Sequence, residues 1–365
     1  MQEKSKRVLV AMSGGLDSTV AAFLLQQQGH DVQGITMAFG AIAGTNPNSP
    51  VDEAVPEASS MCRKLGIEHH TIAMGDYLEK YVIENFLSEY LNGRTPNPCA
   101  RCNRYVKFGE LLKAAEDLKC DYLATGHYVY KVFDEEQQIY HLKKAKDLKK
   151  DQSYFLYTLS QSVLARVLFP LGLLTKDDVR GVARLNGFES VARRSESQDI
   201  CFISDQGYKN FIGVRKTNEN YPCGDFKNEK GEVVGQHKGL INYTIGQRDK
   251  LGLALGVPVY VYQLDRATNT VYVGPKGCLL RKGLYARDAC FVSGKSFKGK
   301  IDASVRIRYN APDMAAKISA LSSDHVKVEF AQPQLAVTPG QCVVFYHDDC
   351  VLGGGIIEKA IEEDA

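Results

Sequence analysis

The chain has 365 residues, long enough for two or three domains, and its 44% hydrophobic and 24% charged content is that of an ordinary globular protein. A net charge of +2 gives no support for a polyanionic partner, so any nucleic-acid surface must come from local clusters. The polar N-terminus leads into an apolar run of strand length only, and no stretch of the ~18 apolar residues needed to cross a bilayer follows. These features predict a cytoplasmic chain with no membrane partner. Ten cysteines in a chain of this size do not make a disulfide framework. In a reducing compartment most are small buried hydrophobes, leaving a minority for redox or metal chemistry.

Residues 7–128 alternate between strand and helix patterns. Val8–Met12 reads as a buried strand, Leu16–Gln28 as a helix closed by Gly29, and Val32–Phe39 as a second strand. A helix over 56–65 ends at Gly66, a strand covers His70–Met74, a helix covers 76–91, Val106–Leu118 is helical, and Tyr122–Thr125 is a further apolar strand. That order predicts an α/β fold with a doubly wound, mostly parallel sheet, whose ligands bind at the carboxyl ends of the strands. The stretch 152–187 reads as mainly helical. After about residue 205, short runs of period-two patterning alternate with turn signals, among them VPVYVYQLD, DASVRIRYN and QCVVFY. The predicted domains are a nucleotide-binding catalytic domain over 1–205, a small β-rich domain over 206–280, and a C-terminal antiparallel β-barrel over 281–365.

Ser13-Gly14-Gly15-Leu16-Asp17-Ser18 follows the first strand directly and opens a helix. Two glycines allow close backbone approach to a phosphate, and the helix N-terminus presents unpaired N–H groups with a favourable dipole. Ser13 and Ser18 add hydroxyls. Asp17 is out of place at an anion site unless it holds magnesium or orients the loop. The loop lacks the GK[ST] of a Walker loop, so no lysine reaches a γ-phosphate. This argues for gripping pyrophosphate, with ATP cleaved between its α- and β-phosphates.

Thr95–Asn103, TPNPCARCN, is a proline-punctuated loop leading into a helix. Cys99 and Cys102 near that helix N-terminus, with Arg101, Arg104 and Lys107 around them, are expected to have favoured thiolates. Ser195-Glu196-Ser197-Gln198-Asp199-Ile200-Cys201-Phe202 supplies a third cysteine far downstream. With three thiols, one can carry sulfur as a persulfide and another resolve it as a disulfide. Taken alone, CARC also fits a redox pair or half a metal site, and Cys201 also fits a core residue. The remaining cysteines read as core or incidental.

Lys143, Lys144, Lys146, Lys149 and Lys150 precede the aromatics Tyr154, Phe155 and Tyr157. Such a run is either a solvated face or a track for an RNA backbone. Arg306 and Arg308 share one strand face by alternation, with Tyr309 beside them for stacking on a splayed base. His127, ending ATGHY, sits where a base or phosphate would lie.

SGGLDS resembles the loop of the PP-loop ATP pyrophosphatases, which adenylate a carbonyl oxygen. The wider set SGGLDS, GRTPNPCARCN, ATGHY, KDQSYFLYTL, Ile200-Cys201-Phe202, YTIGQR, RIRYN and TPGQCVVFY with LGGGIIE resembles the tRNA-specific 2-thiouridylase family almost end to end. That resemblance implies Cys102 as nucleophile and Cys201 as persulfide carrier. It also implies ATP and Mg²⁺, with Ala11, Met12, Ser13, Gly14, Gly15, Leu16, Asp17 and Ser18 lining the phosphates and Met37 and Gly126 flanking the adenosine. Asn97, Pro98 and Cys99 would face the target base. Lys149, Lys150, Asp151, His127, Arg308, Tyr309 and Gln341 would contact the tRNA. The implied substrates are tRNAs for Lys, Glu and Gln, read at the anticodon, with a cysteine desulfurase or relay protein as sulfur donor.

Cys99 stands where many members of the family carry Asp. Cys99, Cys102 and Cys201 could instead ligate a [4Fe–4S] cluster with one iron open. The reaction expected is adenylation of O2 of the wobble uridine 34, then attack of persulfide sulfur on C2 with loss of AMP. Three rivals remain at this stage: an amidotransferase or ligase of the same loop class, an RNA-binding module with a vestigial loop, and a zinc protein using CARC.

Overall fold

A computed structural model describes residues 5–40, 50–193, 200–203, 207–215 and 221–362. The first strand, Arg7–Ala11, buries Val8, Leu9 and Val10 completely, as expected of a central strand covered on both faces. It pairs in parallel with Asp31–Ala38 on one side and Tyr122–Ala124 on the other. His69–Ala73 and the short strand Val167–Leu168 complete a five-stranded all-parallel sheet. Two apolar layers cover it. One holds Val20, Ala21, Leu25, Met61, Val179 and Ala183, and the other holds Leu78, Val82, Phe86, Val106 and Leu111.

The stretch 152–187 is less helical than its composition suggests. Ser153–Phe155 is a single 3₁₀ turn, Gln161–Leu164 one helical turn and Val167–Leu168 a strand; only Lys176–Leu185 is a longer helix. Tyr154, Leu156, Tyr157 and Leu159 are all buried, a spacing no single helix face can satisfy.

A four-stranded sheet, Gly224–Lys227, Val233–His237, Tyr260–Asp265 and Thr270–Gly274, encloses its own small core around Phe226, Val261 and Val271. It is followed by six antiparallel strands, which close into a barrel where Leu280–Phe291 pairs with Cys350–Ile361. The hairpin Val129–Asp134 and Ile139–Lys144 leaves the parallel domain and joins the barrel sheet through Lys143 opposite Cys350. A hairpin of the N-terminal domain and the C-terminal barrel are therefore knitted together by backbone pairing. Among the described residues no helix is long and apolar enough to cross a membrane.

Candidate active site

The phosphate loop is shaped by its own residues. Gly14 holds φ +72°, and a Cβ there would lie 2.6 Å from Glu57 Cβ and 2.9 Å from the Ala58 nitrogen, so only glycine fits. Ser13 N donates to Ser18 Oγ at 3.2 Å, Ser18 Oγ donates to Gly15 O at 3.2 Å, and Thr19 Oγ1 donates to Gly15 O at 2.9 Å. The helix Leu16–Gln27 has extended Gly15 as its N-cap and no side-chain cap. Its leading N–H groups are thus available to an anion.

Asp17 orients the loop. Its carboxylate receives Lys176 Nζ at 2.8 and 2.9 Å and the Tyr128 hydroxyl at 2.9 Å. Lys176, a buried residue, lies 159 positions away in a helix opened by a Thr175–Asp178 capping box. Nothing near Asp17 in the chain announces this partner, and the sequence reading missed it. Among the described residues no group of three His, Cys, Asp or Glu side chains is arranged to hold a metal ion by protein ligands alone; magnesium in such sites is held by one or two carboxylates together with the substrate phosphates.

Met12 is buried and Met37 half-buried at the strand ends beside the loop. Gly126 abuts the loop helix, since a Cβ on it would meet Asp17 C at 2.8 Å and Ser18 N at 3.0 Å. The next residue, His127, receives or gives a 2.8 Å hydrogen bond between Nδ1 and Thr125 Oγ1. Burial, and secondarily the Lys107 charge, drive its pKa well below the usual histidine range, so it is neutral.

The second motif turns into a helix at Pro98. Asn97 Oδ1 accepts from Ala100 N at 3.1 Å, and Pro98 occupies the first turn. A barrel loop clamps the approach. Gln341 Nε2 donates to Thr95 O at 2.9 Å and Pro96 O at 3.1 Å, and Thr95 N donates to Pro339 O at 2.9 Å. Gly340, at φ +94°, lies so close that a Cβ would sit 2.8 Å from Thr95 O. Gln341, expected at the tRNA, is here a clamp on the thiol loop.

From Cys102 to Glu110 the helix is π-wound, then α-helical over Leu111–Asp117. At ~4.4 residues per turn, i and i+5 share a face, whereas in an α-helix they diverge by roughly 140°. Lys107 is thereby carried to the side of Cys102. Its charge acts on Cys99, Cys102 and Cys201 alike, and the three thiols act on one another. Arg101 and Arg104 turn elsewhere: both stand 5.1 Å from the Tyr105 ring, and Arg101 Nε donates to Tyr81 O.

The structure thus brings Cys99, Cys102 and Cys201 together, but it corrects the expected electrostatics. Loss of solvent outweighs Lys107, pushing Cys102 up to about 12 and Cys99 up to about 11, and Cys201 is raised as well. The three thiols do not form a metal-holding group among the described residues. The described residues therefore give no support to a [4Fe–4S] cluster on these thiols.

Cys201 is exposed. It is anchored by its neighbour Phe202, which is buried 5.4 Å from both Phe86 and Phe211. Ser195–Asp199 of the same motif lie outside the described residues.

The predicted tRNA residues separate into two kinds. Lys149 is exposed and Lys150 half-buried. Tyr309 is half-buried with its ring 4.6 Å from Phe155. Asp151, by contrast, is 2% exposed and bonds Ala145 N, Ser153 N and Ser153 Oγ, with Arg306 at 3.3 Å. It shapes its loop from within rather than presenting a contact. Arg308 donates to Ala336 O at 2.6 Å and Thr338 Oγ1 at 2.8 Å, supporting the barrel loop that carries Gln341. The lysine run is divided: Lys143 pairs with Asp349 and Lys144 with Asp313, both within the barrel seam.

A nucleotide-type anion site on a parallel α/β sheet, joined through Gly126 and His127 to a thiol cluster, defines an enzyme of the PP-loop class. The family described as "tRNA methyl transferase HUP domain" matches residues 6–205, the corresponding PRC-barrel domain 209–275, and the aminomethyltransferase β-barrel domain 281–357. A tRNA-specific 2-thiouridylase of Caldanaerobacter subterraneus is 44% identical over 364 residues, covering 98% of this chain and 100% of its own. One from Carboxydothermus hydrogenoformans is 45% identical over 361 residues, covering 98% of each. The chain belongs to the tRNA-specific 2-thiouridylase family and is an enzyme of tRNA thiolation.

Among solved structures, a 4-thiouridine synthetase–RNA complex with bound ATP covers 54% of this chain and 45% of its own at 16% identity. Its TM-score of 0.35 is too low to bear on function.

Proposed function

We propose that the enzyme places sulfur at C2 of the wobble uridine 34 in tRNAs for Lys, Glu and Gln, using ATP and a cysteine persulfide, in the cytoplasm. O2 of the uridine attacks the α-phosphorus of ATP, and pyrophosphate leaves toward the open N–H groups of the Ser13–Ser18 loop. The AMP ester makes O2 a good leaving group. The terminal sulfur of a Cys201 persulfide attacks C2 and AMP departs. Cys102 thiolate then attacks Cys201 Sγ, the base keeps the outer sulfur, and a Cys102–Cys201 disulfide remains for an external reductant.

The observation that carries this reading is continuity. Gly126 touches the phosphate loop, His127 follows it and feels Lys107, and Lys107 faces all three thiols. An extruded pyrimidine held there would meet both chemistries at once. Asn97, Pro98, Cys99 and His127 would face the base, Lys149, Lys150 and Tyr309 would meet the rest of the RNA, and a cysteine desulfurase or relay protein would load Cys201. The test is mass spectrometry of tRNA nucleosides from cells lacking the protein. 2-Thiouridine derivatives should disappear, and unchanged levels would refute the reading.

A further inference from the structure

In that sequence of steps Cys99 has no task, yet it is the thiol best placed to act on the product. Pro98–Arg101 is α-helical and Cys102 continues it at φ −59°, ψ −44°, so Cys99 and Cys102 are helical i, i+3 neighbours. A rise of ~1.5 Å per residue on a ~2.3 Å radius sets their Cα atoms roughly 5 Å apart. A disulfide spans about 4.4–6.8 Å between Cα atoms. The turn is fixed at both ends of its approach, by the Asn97 cap and by the Gln341 clamp. Cys99 is exposed, whereas Cys102 is half-buried beneath it.

We propose that Cys99 is a shuttle thiol that attacks Cys102 Sγ in the Cys102–Cys201 disulfide, storing the oxidation across the CxxC turn and freeing Cys201 for the next sulfur. This rests on the reading of Cys102 and Cys201 as the transfer pair. The Cys99–Cys102 bond forms, the Cys102–Cys201 bond breaks, and Cys201 Sγ leaves with the electron pair. One disulfide replaces another, so no electrons are gained or lost. A dithiol reductant then opens the exposed turn and becomes a disulfide itself.

The direction of exchange follows from the surroundings of the leaving group. Beyond the Lys107 charge, the Cys201 thiolate is stabilised by the backbone N–H groups of Cys201 and Phe202; among the described residues Cys99 and Cys102 have no such backbone support. A better stabilised thiolate leaves faster.

The test loads the full-length protein with inorganic polysulfide and adds ATP, Mg²⁺ and unmodified tRNA without reductant. After one turnover the thiols are trapped with an alkylating agent and the disulfides mapped by peptide mass spectrometry. The wild type should show Cys99–Cys102 with Cys201 alkylated, and Cys99→Ser should show Cys102–Cys201. With a dithiol reductant present, the ratio of steady-state to first-turnover rate should fall about tenfold in Cys99→Ser. A wild type that keeps Cys102–Cys201 with Cys99 alkylated would overturn the shuttle and leave the transfer pair intact. Formation of 2-thiouridine with Cys102 alkylated throughout would remove the transfer pair itself, and the shuttle with it.

Discussion

Two turns in this molecule open a helix, and they are built in opposite ways. The Ser13–Ser18 turn ends in an uncapped helix, and its one acid is neutralised by Lys176. The Thr95–Cys102 turn ends in a helix whose first N–H groups are already served by Asn97 and relieved by Pro98, and it is gripped from outside by the barrel. The first turn is therefore ready for an anion before any ligand arrives. The second withholds its helix end and half-buries Cys102, so that thiol stays protonated against the pull of Lys107. The difference suggests a division of labour: ATP can bind at any time, while sulfur is kept quiet until substrate is in place. The strongest break of this comparison is Cys102→Ser or Cys201→Ser. Either should lower 2-thiouridine formation at least about a thousandfold while tRNA-dependent pyrophosphate release remains measurable. Loss of pyrophosphate release together with thiolation would show the two turns to be one functional unit.

On the first turn, Gly14→Ala is the sharpest probe. The left-handed backbone and the 2.6 Å approach to Glu57 Cβ leave a methyl group no place without moving the helix Pro50–Leu65. The cost should be about 2–4 kcal/mol, read as weakened ATP binding by calorimetry. Binding within twofold of wild type would show that the loop is rebuilt by its ligand rather than prebuilt.

Lys107→Met tests the second turn. Lys107 lowers the pKa of all three thiols, so its removal should raise them further. The thiolate is the deprotonated form. At fixed pH near 8 its fraction then falls, thiolation drops about tenfold, and the pH–rate profile shifts to higher pH. Lys107→Arg should restore most of the rate. Alkylation rates of Cys102 against pH report the same shift without any turnover, and identical profiles in Lys107→Met and wild type would remove Lys107 from the mechanism.

The sequence carried the first turn well and the second only in part, for a physical reason. Strand, glycines and helix start are contiguous between Val8 and Ser18, so local rules describe the backbone of the turn, though not the partner of Asp17. The thiol site is assembled from Thr95–Lys107, Cys201 and the barrel loop at 338–341. Its electrostatics depend on burial, which spacing does not encode. Local charge counting therefore favoured thiolates beside Arg101, Arg104 and Lys107, while the fold sends both arginines to Tyr105 and half-buries Cys102. The Asp17–Lys176 pair and the Asp151–Arg306 pair escaped for the same reason: each joins residues more than 150 positions apart. The hairpin Val129–Lys144 has no strong turn signal or flanking motif to mark it, and only its pairing with the barrel defines its place.

The smallest expected effect sharpens the comparison most finely, because it touches the second turn only from outside. Gln341→Ala deletes two hydrogen bonds to Thr95 O and Pro96 O but leaves the Asn97 cap, Pro98 and every thiol in place. Each such bond contributes about 0.5–1.5 kcal/mol, and backbone carbonyls at a half-open loop recover part of that from water. If the barrel holds the thiols in register, thiolation should fall about threefold to tenfold, whereas ATP binding, governed by a turn that Gln341 does not touch, should not move. Equal losses in both would mean that the barrel steadies the whole catalytic domain, and the outside grip would then no longer distinguish the two turns.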